Sequence, residues 1–72
     1  MKLKEMIDIY GFESIDIIDS GENTIYSLTS DIERTISYNI RQSVPERILE
    51  KEVDFCVFES GEFYYTFNIY LK

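Results

Sequence analysis

Residues 53–71, VDFCVFESGEFYYTFNIYL, constrain the fold more than any other stretch of the chain. Val53, Phe55 and Val57 alternate with Asp54 and Cys56. Beyond Ser60-Gly61, Phe63, Tyr65, Phe67, Ile69 and Leu71 alternate with Tyr64, Thr66, Asn68 and Tyr70. A period of two is the mark of a strand with one face on a core. Two such runs across a Ser-Gly pair read as a β-hairpin, and the second run is long enough to lie centrally in a small sheet. A two-residue loop would pair Val57 with Tyr64 and mix the faces. A three-residue loop, Glu59-Ser60-Gly61, pairs Val57 with Phe63, Phe55 with Tyr65 and Val53 with Phe67. Because a one-residue slip turns every side chain over, this register is the expected one, with Gly61 as the left-handed residue of the loop. Phe58 and Cys56 then share a face with Tyr64 and Tyr70, opposite the core.

The rest of the chain supplies smaller pieces. Leu3, Met6, Ile7 and Tyr10 recur at helical spacing before Gly11, which predicts a short helix over residues 2–10. ESIDIID alternates Ile15 and Ile17 with Ser14 and Asp16, and NTIYSL is rich in β-formers, so the two read as a second hairpin around DSGEN. Residues 30–42 carry two signals. Ser30 and Glu33 resemble a capping box with Ile32, Ile36 and Ile40 four apart. Ile36, Tyr38 and Ile40 also alternate with polar residues, and the β-branched and aromatic types tilt the reading toward a strand. In SVPERILEKEV, Ser43 as cap, Pro45 near the first turn and Glu46 completing the box predict one or two helical turns. The expected architecture is α+β, a single compact domain over residues 1–72. A small antiparallel sheet of four or five strands carries a short N-terminal helix and a second short helix.

Composition narrows function by exclusion. A chain of 72 residues is one domain at most, and its 44% hydrophobic content is enough to build a core, with large Ile, Phe and Tyr side chains expected to supply buried area. The formal charge of −7 opposes direct binding to nucleic acid or anionic lipid, which take a basic footprint. No histidine is present to serve as general base for Ser20 or Ser60, and with one cysteine the donors for a zinc site are lacking. DSGEN does not match a calcium loop, and a single glycine flanked by acids does not cradle phosphate. We therefore expect no catalytic residue, metal or cofactor. MKLKEMIDIY lacks the apolar core of a signal peptide, and no run reaches the ~20 apolar residues of a membrane span. A lone Cys56 fits a reducing cytoplasm, as a buried or half-buried small hydrophobe or, alternatively, a crosslink to a second chain.

What remains is acids and aromatics. IDSGEN and FESGEF read as one turn used twice, and their tips display Asp19, Glu22, Glu59 and Glu62. Glu5, Asp8, Glu13, Asp16, Asp31 and Glu33 add to the first half. Carboxylates on a rigid sheet can stand in for the phosphates of a nucleic acid and address a Lys/Arg groove. Tyr64, Tyr70 and Phe58 would form a half-polar patch of the kind favoured at interfaces. The whole layout, MKLKEMIDIYG…SIDIIDSGENTIYSL…VPERILEKEVDF, resembles the short acidic α+β proteins of bacteriophages and mobile elements, among them anti-CRISPR and other anti-defence inhibitors. That resemblance implies a cytoplasmic, non-catalytic inhibitor that occupies the basic groove of a host defence nuclease. The competing expectation is a small adaptor that homodimerises through a sheet edge or its tyrosine face.

Overall fold

The computed structural model describes residues 1–10, 14–30, 35–60 and 65–72, and the side chains of all of these except 7–10 and 65. Helix α1 (Leu3–Tyr10) leads into a hairpin of β1 (Ser14–Ile18) and β2 (Thr24–Thr29). Helices α2 (Ile36–Ser43) and α3 (Glu46–Leu49) then connect to a second hairpin, β3 (Val53–Ser60) and β4 (Tyr65–Leu71). The strands form one sheet in the order β2-β1-β4-β3. The α+β architecture on four strands is as the sequence predicts, with the last strand central. The sheet is mixed rather than wholly antiparallel, because β4 lies parallel to β1. Parallel neighbours need a long crossover, and α2 and α3 provide it.

The register defines four rows across the sheet. On one face run Leu28, Ile15, Phe67 and Phe58, and beside them Tyr26, Ile17, Ile69 and Cys56. On the other face run Ser27, Asp16, Asn68 and Val57, and then Thr24, Ile18, Tyr70 and Phe55. Among the described residues the helices pack on the first face; on the other, Asn68 at the centre of the sheet is also buried. From the helices and the Val44 cap, Leu3, Met6, Ile36, Ile40, Val44 and Leu49 join Ile15, Ile17, Ile69 and Leu71 in the core. Every fully sheltered member of that core is aliphatic or Met6. Among the described side chains no aromatic is in it; Tyr26 and Phe67 pack against its edge. Isoleucine supplies buried area as expected, whereas none of the described Phe and Tyr side chains is in the core. Ile18 is buried on the opposite face from this cluster, next to Tyr70.

Residues 36–43 are helical, against the tilt toward a strand. The cap is Thr35, whose Oγ1 accepts a hydrogen bond from the Tyr38 N–H at 3.2 Å. Ile36, Ile40 and Val44 recur every four residues and all three are buried, while Tyr38 and Arg41 face solvent. A strand would have placed Ile36 and Tyr38 on one face. The helix separates them, and burial of the isoleucines outweighs the small propensity cost of β-branched residues. Ser43 ends α2 instead of capping α3. Pro45 takes the cap position of α3 without a side-chain hydrogen bond.

The second hairpin also departs from expectation. Phe55 pairs with Tyr70, Cys56 with Ile69, Phe58 with Phe67 and Ser60 with Tyr65. Glu59 is thus a strand residue opposite Thr66, not part of the loop. Gly61, Glu62, Phe63 and Tyr64 lie outside the described residues. The shift moves Cys56 and Phe58 onto the helix-covered face and leaves Phe55 and Val57 on the open one. A bulge between Val53 and Phe55 lets Val53 still meet Leu71 at the core.

The fully buried Ile17 sits where both central strands and the helices converge. Ile17→Ala is expected to cost about 2–4 kcal/mol, and Val57→Ala on the open face less than about 1 kcal/mol, in urea unfolding of the two variants.

Candidate functional site: an acid-rimmed aromatic sheet face

The first hairpin tip is held by its own side chain. The Gly21 and Asn23 N–H groups both donate to Asp19 Oδ1 at 2.9 Å. The Glu22 N–H donates to the Asp19 carbonyl at 3.0 Å, and the Asp19 N–H to the Asn23 carbonyl at 2.9 Å. The loop between the strands is thus Ser20-Gly21-Glu22. Its third residue must be left-handed, and that residue is Glu22, at φ 63°. A glycine there would adopt this conformation freely, but the glycine of the motif stands one position earlier.

Because β4 runs parallel to β1, this tip lies beside the C-terminal end of β4 and the start of β3. Asp19, Glu22 and Asp54 border an open cleft of about 400 Å³ whose wall is formed by Phe55 and Tyr70. The two rings stack at a centroid distance of 4.4 Å with 12° between their planes. Phe55 remains 52% exposed, so its outer ring face is available to a partner. Lys72 reaches the same cleft. Val57 and Asp16 continue the face toward Glu59, which lies at the other end of β3. Asp16 accepts a hydrogen bond from Ser27 Oγ at 2.6 Å.

The structure therefore divides the residues singled out from sequence. Asp19, Glu22 and Tyr70 come together. Glu59 and Phe58 lie at the opposite end of the sheet, roughly 17 Å away by the rise per residue of β3. Phe58 is also on the other face, edge-on to Phe67 at 6.2 Å. Glu62 and Tyr64 are outside the described residues, as are Glu13, Asp31 and Glu33. Phe55, Val57 and Asp54 were missed, because the three-residue loop assigned Phe55 and Val57 to the core. The available signal was the run FCVF between two acids, more apolar than a half-covered strand requires.

The opposite surface has a different electrostatic character. Lys2 and Lys4 both reach Glu50, Lys2 at 2.8 Å, and the N-terminal ammonium meets Glu52 at 3.1 Å. The hydrogen bond from Lys2, then that from Lys4, holds the Glu50 carboxyl down to about 2, and Glu50 in turn raises Lys2. The N-terminal ammonium lowers Glu52. Arg41 and Arg47 lie in the last turns of α2 and α3. Apart from Lys72 at the cleft, the described basic groups thus gather around the helices, and the ion pairs among the described residues neutralise acids there. Asp19, Glu22, Asp54 and Asp16 keep the acidic surplus on the open face and its rim.

Cys56 is half-buried, with Sγ 3.7 Å from Met6 Sδ, and burial pushes its thiol up from the ordinary range. This is the environment of an unreactive thiol. Among the described residues no three His, Cys, Asp or Glu side chains are placed to hold a metal ion, and no helix is long and apolar enough to cross a membrane. No protein-family model, curated protein or solved structure matches this chain.

Two outcomes are expected. Glu22→Gly relieves the left-handed strain and stabilises the fold by about 1 kcal/mol in urea unfolding. Glu50 has a depressed folded value, so its stabilising contribution is present above about pH 4.5 and is lost as pH falls toward 2. In thermal melts across that window, Glu50→Gln should flatten the pH dependence relative to the native chain.

Proposed function

We propose that this domain is a non-catalytic protein-binding inhibitor that docks its open sheet face onto the basic, nucleic-acid-binding groove of a bacterial defence protein, acting in the host cytoplasm. Supporting this reading above all is the stacked Phe55–Tyr70 pair, kept out of an aliphatic core and set among Asp19, Glu22 and Asp54. A solvated acidic surface has no need of a large aromatic ring half exposed at its centre. An interface does: an aromatic anchor buried at the middle, charges at the rim to steer and orient. The carboxylates would address Lys and Arg side chains that otherwise hold phosphates, and the ring faces would stack on Arg guanidinium planes.

The separation of the two tips changes the form of the mimicry. Asp19, Glu22 and Asp54 act as one cluster, Glu59 as a distant outlier, with Phe55, Val57 and Tyr70 between them. Recognition then combines charge with apolar contact and does not follow a phosphate track alone.

The test is affinity capture from bacterial lysate at low and high salt, with the retained proteins identified. A nucleic-acid-handling protein should be retained at low salt. Reversal of Asp19, Glu22 and Asp54 to Lys should weaken its binding by roughly a hundredfold, and Phe55→Ala by roughly tenfold. Glu46→Lys on the helix side should change it little. Capture that ignores these reversals, or that yields no nucleic-acid-handling protein, would overturn the proposal.

A further inference from the structure

A bulge in β2 aims one more side chain at the helices. Ile17 pairs with Tyr26 and Ile18 with Thr24, so Ile25 is the extra residue between them. Simple alternation would put Ile25 and Tyr26 on opposite faces, yet both pack against the helix-side core. Ile25 thereby lines a recess of about 320 Å³ on the helix side of the first hairpin tip, with Ile48 of α3 and Leu71 of β4 as its other apolar walls. Ser20, Lys51 and Lys72 line it too, and all three are exposed, so they stand at its mouth. Asp19 also borders the recess, but its Oδ1 already accepts the Gly21 and Asn23 N–H groups. Both lysines are anchored through the backbone. The Lys51 N–H donates to the Ile48 carbonyl at 3.1 Å, the Lys51 carbonyl accepts the Leu3 N–H at 2.9 Å, and the Lys72 N–H donates to the Glu52 carbonyl at 3.1 Å. Among the described residues neither lysine ammonium is in an ion pair. Glu50 is taken by Lys2 and Lys4, and Glu52 by the N-terminal ammonium.

We propose that this recess binds a small amphipathic anion, a carboxylate carried on an apolar body of medium chain length. Ile25, Ile48 and Leu71 would take the chain, and Lys51, Lys72 and the Ser20 hydroxyl the carboxylate. Small-molecule sites are concave and mostly apolar, with a few convergent polar groups, and this one stands at the lower end of their usual volume of ~300–1,000 Å³. Charge selects the sign of the ligand. In a chain of net −7, two cations without an acid partner meet at one apolar opening, and a cationic ligand would be repelled there. A single negative charge suits the mouth better than a phosphate, whose second charge would face Asp19 and the field of the whole chain. The apolar walls select length, since each buried CH2 adds about fourfold in affinity. The recess and the acid-rimmed cleft lie on either side of Leu71 and Lys72 and share the hairpin tip. Binding in the recess does not depend on the proposed inhibitory role.

The probe is octanoate, titrated into the native chain and followed by NMR of the isoleucine and leucine methyl groups. The Ile25, Ile48 and Leu71 methyls should shift together, with a Kd on the order of 1 mM, while those of Ile36 and Ile40 stay in place. Acetate, which lacks the chain, should bind at least roughly tenfold more weakly. Octylamine, with the same chain and the opposite charge, should leave these methyls unmoved. Raising salt should weaken octanoate binding. Lys51→Gln combined with Lys72→Gln should weaken it by roughly tenfold and leave the thermal midpoint nearly unchanged, because both side chains are exposed. The octylamine and salt comparisons use the native chain, so they decide the question even where the double variant loses stability. Methyls unmoved by octanoate, octylamine binding as tightly as octanoate, affinity indifferent to salt, or a folded double variant that binds octanoate as the native chain does would each overturn the proposal.

Discussion

The parallel contact between β1 and β4 organises the whole molecule. Ile15 meets Phe67 and Ile17 meets Ile69 across it, and the helices bury these central isoleucines from above. Without that seam there are two separate hairpins, and an isolated hairpin is marginal in water. With it, each hairpin supplies the missing neighbour of the other, and α2 and α3 become the crossover that holds them in register. The seam also sets direction. It brings the C-terminal end of β4 and the start of β3 to the first hairpin tip and sends the end of β3 away from it. The cleft formed by Asp19, Glu22, Asp54, Phe55 and Tyr70 is a consequence of strand direction, not of any local motif.

A second consequence concerns where bulk is used. The helices are short, and among the described side chains they and the Val44 cap bring Leu3, Met6, Ile36, Ile40, Val44 and Leu49 to the core. The described aromatics stay outside this core: Tyr26 and Phe67 pack against it, Tyr38 is exposed on α2, and Phe55 and Phe58 are exposed at the β3 edge. Burial therefore declines from β1 and β4 toward that edge, where Phe55, Val57 and Phe58 stand exposed. Small domains have little surplus stability, and one that leaves so much apolar surface uncovered gives up free energy a closed core would have retained. The proposed basic partner would cover the part of that surface that lies on the open face.

Much of the fold was legible because alternation and helical spacing are local properties. The two hairpins, the N-terminal helix and the inward faces of β1 and β4 follow from residues two to four apart. Residues 36–43 misled because Ile36 and Ile40 satisfy both periods and Tyr38 between them fits the strand period. The decision came from Thr35 as cap and from the space between α1 and β2 that Ile36 and Ile40 fill. The β3–β4 register misled for a related reason. Maximising apolar pairs within the hairpin favours a tight loop at Gly61, but β4 must also match β1, and Ile69 beside Ile17 takes precedence. The candidate site was legible in part. Asp19 and Glu22 were visible as a turn, and Tyr70 as a surface aromatic. Phe55 and Asp54 became neighbours of that tip only through the seam.

By itself the sequence determined that an acidic, histidine-free α+β chain would form, with two hairpins and an aliphatic face on its first strand. These depend on composition and on near neighbours along the chain. Tertiary structure alone decided which hairpin edges meet, in which direction they run, and which aromatics remain outside. Those outcomes rest on competition between distant surfaces for the same core, where Ile69 can have only one neighbour at Ile17 and the side chains left without such a place face the solvent.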